Sequence, residues 1–449
     1  MEPMRQSRRD AARQVKNHAG GYVFEVDDID RLGRFFCLGS ESGTYYADSE
    51  QLTHENLQCV QRLIAAGRGD EVVRKTIEYS VNGRTAKQDT LMLVMAMCAR
   101  QEIDPDTSKL CYEHLNEVCR IPTHLFTFLG YCEAASNGTG WGRAHRRAIS
   151  NWYFRFRESS EQARRLAMLV TKYRNRNGWT HMDVIRLAHL KPEVNDNGVT
   201  AILKYIVKGF DDSKEDLANS GLLEYLQAVE DVRSQRDPNT VDVSGLAALI
   251  REHRLVREHV NTQLLKFPAI WEALLEHMPM TAMIRNLGKM ASIGMTSPNS
   301  KYEKMIVTRL GDPEILKKAR IHPFNILTAL LTYNRGQGEV GKLTWQPNAA
   351  VVKALDAAFY YCFKLVEPTN KRFLLALDVS GSMFGCTVIG SQSITPGVAC
   401  CCTFTCHSEH GASIRNCRIF RQTGSDQNQS LHETTRRSDG NGFHLFWKY

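Results

Sequence analysis

Three oxygen-bearing side chains alternate at the end of an apolar run in the segment FLLALDVSGSM: Asp378, Ser380 and Ser382. The continuous apolar run before them is typical of a central strand of a parallel sheet. Ligands of open α/β folds bind just beyond the carboxyl ends of such strands. A carboxylate and two hydroxyls suit Mg²⁺, which prefers oxygen ligands and keeps several waters. The spacing therefore predicts the first part of a magnesium site.

A second group of chemistry-bearing residues is cationic and lies between residues 141 and 191. This window contains twelve lysines and arginines against three acidic residues, a net charge of +9, whereas the whole chain carries +8. The rest of the chain therefore sums to about zero, and the positive charge is local. A local excess of this kind is what binding to a polyanion requires.

Aromatic residues interleave with these cations, which favours RNA as the polyanion. Unpaired bases stack on aromatic rings and guanidinium planes, while Arg and Lys hold phosphates. The segment CRIPTH adds an arginine and a histidine around a predicted helix start, where anions bind readily. The candidate RNA contacts are Arg120, His124, Arg143, Arg146, Arg147, Lys172, Arg174, Arg176, His181, Arg186 and His189.

The alternative interpretation of the same window is a solvated helix face whose tryptophans belong to the core. Helical spacing separates Arg143 and Arg147 from Ala144, Ala148 and Trp152, which fall on another face. Trp152 has apolar neighbours at helical spacing and is predicted to be a core residue.

The elements that must position these residues are helical from about residue 50 to 360. Short amphipathic segments follow one another with few strand patterns between them, which predicts stacked helix pairs, a HEAT-like solenoid; an irregular all-α domain is the alternative. Thr53 and Thr85 are predicted helix caps, and Thr180 with Asp183 a capping box. Asn177–Gly178 is predicted to end a helix.

The pattern changes after Pro368, where the apolar strand begins. From about residue 400 the sequence shows no lasting period of helix or strand, and we predict an irregular, disordered tail. The predicted organisation is a flexible N-terminus over 1–19, a helical-repeat domain over 20–368, an α/β segment over 369–399 and the tail over 400–449.

Several classes of protein are disfavoured. The N-terminal segment has charges but no apolar core, and no apolar run reaches transmembrane length, so we expect neither a secretory signal nor a membrane partner. Thirteen cysteines, an odd number, favour a reducing compartment. The motif DVSGSM lacks the G-x-S-x-G form of a serine hydrolase, and Ser380 stands where a phosphatase-type nucleophile would have a second acid. We expect a non-enzyme that is cytoplasmic, with a nuclear fraction.

Several segments of the chain resemble those of one known protein family. Seven segments occur in this order along the chain: GYVFEVDDIDRLGRFFCLGSESGTYY, EVCRIPTHLFTF, VTKYRNRNGWTHMDVIRLAHLKP, REHRLVREH, TAMIRNLGKM, KKARIHPFNIL and ALDAAFYYCFKLVEPTNKRFLLALDVSGSM. Together they resemble the Ro (SS-A/Ro) ribonucleoprotein autoantigens, the TROVE-module family. The resemblance extends from about residue 20 to 399.

This resemblance implies a mainly α fold in which HEAT-like repeats close into a ring. It further implies an outer basic surface that binds small noncoding Y RNAs, and a central hole that accepts the single-stranded end of misfolded noncoding RNAs. The implied role is RNA quality control and stabilisation, together with protein partners of the ribonucleoprotein. Lys172, Arg174 and Arg176 match the RNA-contacting helices of the family, and His189 lies near the implied hole.

The family resemblance also implies a C-terminal von Willebrand factor A domain with a metal-ion-dependent adhesion site. That site needs a further Thr and Asp from later loops, and a domain of this kind needs ~100–200 residues. From Phe373 onward there are 77 residues, and the resemblance is lost after about Ala399. We therefore predict an incomplete metal site with weak or no Mg²⁺ binding. A frameshift, a retained intron or an alternative exon would explain the change.

A second function class remains open from the sequence. A helical-repeat scaffold with a metal-dependent adhesion-type domain would bind acidic protein ligands. It predicts that a folded C-terminal module and Mg²⁺ matter more than the basic helices.

Overall fold

The protein is described from a computed structural model. The described residues are 14–16, 20–38, 49–85, 88–136, 138–191, 197–339, 341–365, 376–378, 380–388, 391–402 and 418–420. They form a mainly helical chain that divides into two compact units, Met1–Asp231 and Val232–Tyr449. This agrees with the predicted mainly α fold. The implied ring concerns how the units are arranged and stays a prediction.

The first unit contains two short hairpins among helices. Its elements are β1 (Gln14–Lys16), β2 (Tyr22–Phe24), α1 (Asp28–Leu38), α2 (Ser49–Ala65), α3 (Gly69–Val81), α4 (Asp89–Arg100), α5 (Pro105–Glu113), α6 (Leu115–Val118), α7 (Pro122–Ala134), α8 (Arg143–Phe154), α9 (Ser160–Lys172), β3 (Asn175–Arg176), β4 (Trp179–Thr180), α10 (His181–Ala188), α11 (Asn197–Lys208), α12 (Lys214–Asn219) and α13 (Leu223–Ser234), whose last residues enter the second unit. Neighbouring helices pack in pairs, among them α1 on α2, α4 on α7, α8 on α10 and α9 on α11.

Local sequence signals account for several of these helices. The Thr180 side chain accepts from the Asp183 backbone N–H, and the Asp183 carboxylate accepts from the Thr180 N–H, so the predicted capping box at α10 is present. Two predicted caps were wrong. Thr53 lies inside α2, and α4 begins after Gln88, whose side chain donates to Thr85 Oγ1 at 2.7 Å.

The Asn177–Gly178 dipeptide ends no helix, contrary to the prediction. α9 ends at Lys172, and the dipeptide forms the turn between β3 and β4, with Arg176 opposite Trp179. Asn177 has φ 51° and Gly178 φ 81°, the left-handed pair that two-residue hairpin turns require. The turn therefore presents Arg176 on a hairpin rather than on a helix.

The second unit is helical up to residue 363 and then becomes mixed. Its elements are α14 (Val243–Glu252), α15 (Pro268–Leu275), α16 (Met280–Ser292), α17 (Lys301–Leu310), α18 (Pro313–Ala319), α19 (Pro323–Arg335), α20 (Ala349–Phe363), β5 (Ala376–Asp378) and β6 (Arg418–Phe420). α14 packs on α15, and α20 packs on α17, α18 and α19.

The α/β segment contains part of the predicted strand, because β5 covers Ala376–Asp378 of FLLALDV; residues 366–375 and 379 lie outside the described part. β5 pairs in parallel with β6, which belongs to the predicted tail, and residues 396–402 are helical across the predicted boundary at 399. The rest of the tail, 403–417 and 421–449, is outside the described residues. Among the residues that the structure describes, no helix is long and apolar enough to cross a membrane.

Candidate nucleic-acid interface

The cations of α8 line one side of the helix. Arg143 and Arg147 are exposed and Arg146 is half-buried. The opposite side packs into the core through His145, Ala148, Ile149 and Trp152. Ala144 was expected on the inward face, but it is exposed and His145 takes its place. The first turn of α8 has no acidic residue and no side-chain cap, so a helix start that already favours anions also carries guanidinium groups.

The β3–β4 hairpin brings a second set of cations to the start of α8. Arg174 and Arg176 are both exposed. Trp179, the cross-strand partner of Arg176, lies with its ring centroid 5.9 Å from that of Trp141. Trp141 is two residues before Arg143 in the chain, so this aromatic contact joins the hairpin to the N-terminus of α8. The structure thus connects cations that are more than thirty residues apart in sequence.

Three aromatic residues of the window lie under this surface rather than on its contact face. Trp152 and Tyr153 are fully buried, and Trp141 is buried. The Trp141 indole donates to a Glu133 carboxylate oxygen at 2.6 Å, and the Trp152 indole donates to the Cys119 carbonyl at 2.5 Å. The prediction that Trp152 is a core residue is confirmed. These buried rings support the cations and offer no area to bases, whereas Trp179 is half-buried and keeps part of its surface exposed.

His181 was a predicted RNA contact, and its position in the core corrects that prediction. The side chain is 4% exposed. Its Nε2–H donates to the Tyr173 carbonyl at 3.0 Å, so Nδ1 accepts from the Tyr153 hydroxyl at 2.7 Å. Burial lowers the pKa of His181 to about 4, which keeps the ring neutral near pH 7. Both ring nitrogens are engaged within the protein, so His181 supports α10 and does not reach a ligand.

The CRIPTH segment divides its two candidates. Arg120 is exposed just before α7, whose first residue is Pro122, as the sequence predicts. His124 is half-buried, and burial together with the neighbouring Arg120 charge lowers its pKa to about 4. A neutral imidazole attracts phosphate much less than a cation does, so Arg120 is the stronger candidate of the two.

Arg155 was not singled out in the sequence, although it belongs to the basic window. Its guanidinium group lies over the rings of Trp152 and Phe156, 4.6 and 4.7 Å from their centroids. It donates to the carbonyls of Asn116 and Arg120 at 3.1 and 2.8 Å. Burial lowers its pKa to about 10, so it stays charged near pH 7. Arg155 therefore holds the chain segment before α7 in place. The sequence did contain a signal for this role, because aromatic residues stand three positions before Arg155 and one position after it.

The C-terminal end of α10 adds a third group to the surface. Arg186 and His189 are exposed, as is Lys191 beyond them. His189 adopts the left-handed conformation with φ 54° at the helix end, a position more often taken by glycine or asparagine. Leu187, between them, is 44% exposed.

Most of these cations are not neutralised within the described part of the chain. No described carboxylate oxygen lies within 4.0 Å of the guanidinium groups of Arg143, Arg147, Arg174, Arg176 or Arg186. Lys172 is half-buried, and its ammonium group lies 5.0 Å from the Tyr173 ring centroid. The surface therefore keeps a net positive field that faces solvent.

The predicted metal residues lie in the second unit. Ser380 and Ser382 place their hydroxyl oxygens 3.0 Å apart, at the start of a single 3₁₀ turn over Gly381–Phe384. Asp378 is the last residue of β5, and its side chain lies outside the described part. Among the described side chains, no group of three or more His, Cys, Asp or Glu is arranged to hold a metal ion.

The family model of the TROVE domain matches residues 15–241 and 249–332. A Caenorhabditis elegans protein named RNA-binding protein RO60 is 36% identical over 435 residues, covering 82% of this chain and 66% of that protein. A Deinococcus radiodurans protein of the same name is 36% identical over 388 residues, covering 86% and 69%.

A solved structure is similar as well. The crystal structure of the Deinococcus radiodurans RO (RSR) protein superposes with a TM-score of 0.69 at 31% identity, covering 88% of this chain and 75% of that one. The chain spans about two thirds of the length of the curated relatives that it matches. The matched family residues include every element of the basic surface, from α7 to α10. The chain belongs to the TROVE domain family.

Proposed function

We propose that this chain is an RNA-binding component of a ribonucleoprotein. The observation that carries the proposal is the solvent-facing set of arginines on α8, the β3–β4 hairpin and α10, which no described carboxylate neutralises. The names of the two relatives support it, since both are called RNA-binding proteins. Small noncoding RNAs related to Y RNAs, and misfolded RNAs with a free single-stranded end, are the proposed ligands.

The three groups of cations would contact different parts of the RNA. Arg174 and Arg176 stand on a short hairpin next to the α8 cations, and a surface of this kind holds backbone phosphates without reading sequence. Arg186 and His189 at the end of α10 would contact an unpaired strand, where a guanidinium plane and an imidazole can stack on bases. The buried tryptophans fix the spacing of these groups.

Filter binding tests this function directly. A structured RNA with a single-stranded 3′ end is expected to bind more tightly than a blunt duplex of equal length, and its affinity should fall steeply as salt rises. Each phosphate contact to single-stranded RNA contributes a slope of about −0.7 in log K against log salt. Affinity that does not change with salt would refute an interface built from arginines and phosphates.

No catalytic role is proposed. Both relatives are named for RNA binding rather than for a reaction. Protein partners of the ribonucleoprotein, and a cytoplasmic location with a nuclear fraction, form part of the same proposal.

Weak or no Mg²⁺ binding is the expected behaviour of the Ser380–Ser382 loop. Two hydroxyls and one carboxylate leave most of the coordination of Mg²⁺ to water, and neutral hydroxyls add little charge compensation. Isothermal titration of Mg²⁺ into the full chain should give no micromolar binding, and S380A/S382A should give the same titration curve. Micromolar affinity that the double substitution abolishes would contradict this prediction.

A further inference from the structure

The loop after α19 is held in a defined shape and presents a carboxylate. Gln337 and Thr344 form an antiparallel bridge across the loop. The Arg335 guanidinium group donates to the carbonyls of Gln337 and Gly338 at 3.2 and 2.9 Å. Glu339 follows directly, so its backbone is fixed from the α19 side.

The Glu339 carboxylate collects hydrogen bonds from two separate parts of the second unit. It accepts from the Thr332 hydroxyl of α19 at 2.8 Å. It also accepts from the Ser393 hydroxyl at 2.5 Å, the Gln392 backbone N–H at 2.5 Å and the Ser391 hydroxyl at 3.4 Å. Burial alone would raise the pKa of Glu339, but the hydrogen bonds outweigh it and lower the pKa, so the carboxylate is charged near pH 7.

The residues held by Glu339 are in turn fastened to the Ser380–Ser382 loop. The Val388 N–H donates to the Ile394 carbonyl at 2.8 Å, and the Ser391 N–H donates to the Val388 carbonyl at 3.1 Å. Ile394 is fully buried. The Phe384 ring lies so close over Gly397 that an added Cβ would come within 2.5 Å of it. The two stretches 380–388 and 391–397 therefore make one packed piece.

From these contacts we propose that Glu339 is a positioning residue that couples the Ser380–Ser382 loop to α19. The carboxylate holds the turn at residues 391–393, and that turn holds the loop. A ligand or partner that orders the loop is then linked to α19, and the linkage operates in both directions. The proposal is independent of RNA binding, because it involves none of the cations of the basic surface.

Hydrogen exchange on the full chain, followed by mass spectrometry, tests the coupling. In E339Q the amide replaces an acceptor of four bonds by a weaker, uncharged one. Exchange in 380–388 and 391–402 should become about tenfold faster or more, since hydrogen bonds to charged groups are the strong ones. Exchange in α16 and α18 should stay unchanged. The matched control is E314Q, which removes the same charge from an exposed site on α18 and should change neither segment.

A second variant separates coupling from loss of folding. S393A keeps the carboxylate and removes one donor, so it should accelerate exchange in the same two segments by a smaller factor. The acceleration of exchange in E339Q/S393A should be smaller than the product of the two single accelerations, because both substitutions act on the same hydrogen bond. Unchanged exchange at 380–388 in both single variants would overturn the proposal. Acceleration of equal size in α16 and α18 would also overturn it, since that pattern indicates global destabilisation.

Discussion

Replacing Lys172, Arg174 and Arg176 by alanine is expected to lower the affinity for structured RNA by about 10- to 100-fold at low salt. The three residues end α9 and enter the β3–β4 hairpin, and both arginines face solvent. Each lost phosphate contact should also reduce the magnitude of the salt slope by about 0.7. The loss should therefore be largest at low salt and shrink as salt rises.

The control must remove equal charge elsewhere in the same unit. R34A/K109A/K208A removes three exposed cations outside the basic window, so it changes the net charge of the chain by the same amount. Its affinity should stay within about threefold of the unaltered protein, because long-range attraction is screened beyond the Debye length. Equal losses in the two triple variants would mean that net charge drives binding, and the assigned surface would be wrong.

The parts of this surface that sequence could predict are those set by neighbours in the chain. The excess charge between residues 141 and 191 can be counted, and the Thr180–Asp183 box is a local pattern of two side chains and two backbone groups. Trp152 could be placed in the core because apolar residues flank it at helical spacing. None of these inferences needs to know which element packs on which.

What could not be predicted depends on contacts between distant residues. The contact of Trp141 with Trp179 joins two cation groups, and no local sequence pattern in either segment predicts it. His181 looked like a polar member of a basic run, but Tyr153 and Tyr173 enclose it. The Asn177–Gly178 turn did have a recognisable signal, since this dipeptide is typical of hairpins. Its strands of two residues were too short to show alternation.

The α/β segment shows the same limit. The apolar strand was predicted, but its pairing with β6 was not, because the intervening sequence has no lasting period. The Glu339 contact with Ser393 spans 54 residues. From sequence alone, a carboxylate in a loop is expected to be solvated. Only the structure shows that hydroxyl groups donate hydrogen bonds to Glu339.

The first unit is expected to lose stability as the pH falls from about 7 to 5, because its most buried histidines resist protonation. His145 and His181 are 2% and 4% exposed, and burial lowers the pKa of each to about 4. The unfolded chain takes up these protons near the ordinary histidine pKa of about 6.5, whereas the folded chain does not. The unfolded state therefore binds more protons throughout this range, and the free energy of unfolding decreases as pH falls.

The size of the effect can be stated for each histidine. A histidine whose pKa falls from about 6.5 in the unfolded chain to about 4 in the folded chain should lower the free energy of unfolding by about 2 kcal/mol between pH 7 and pH 5. His124, whose pKa is also lowered to about 4, acts in the same direction. Urea unfolding at a series of pH values, monitored by tryptophan fluorescence, measures the slope.

Substitution distinguishes this cause from general acid effects on carboxylates. H181N keeps a side-chain hydrogen-bonding group in the Tyr153–Tyr173 pocket and removes the titrating ring, so it should lower stability near pH 7 and flatten the pH dependence. H277Q, at an exposed site of the second unit, should leave the slope unchanged. If H181N retained the full slope, the buried imidazole could not be its source. The neutral state of His181 would then make no contribution to the pH dependence of stability.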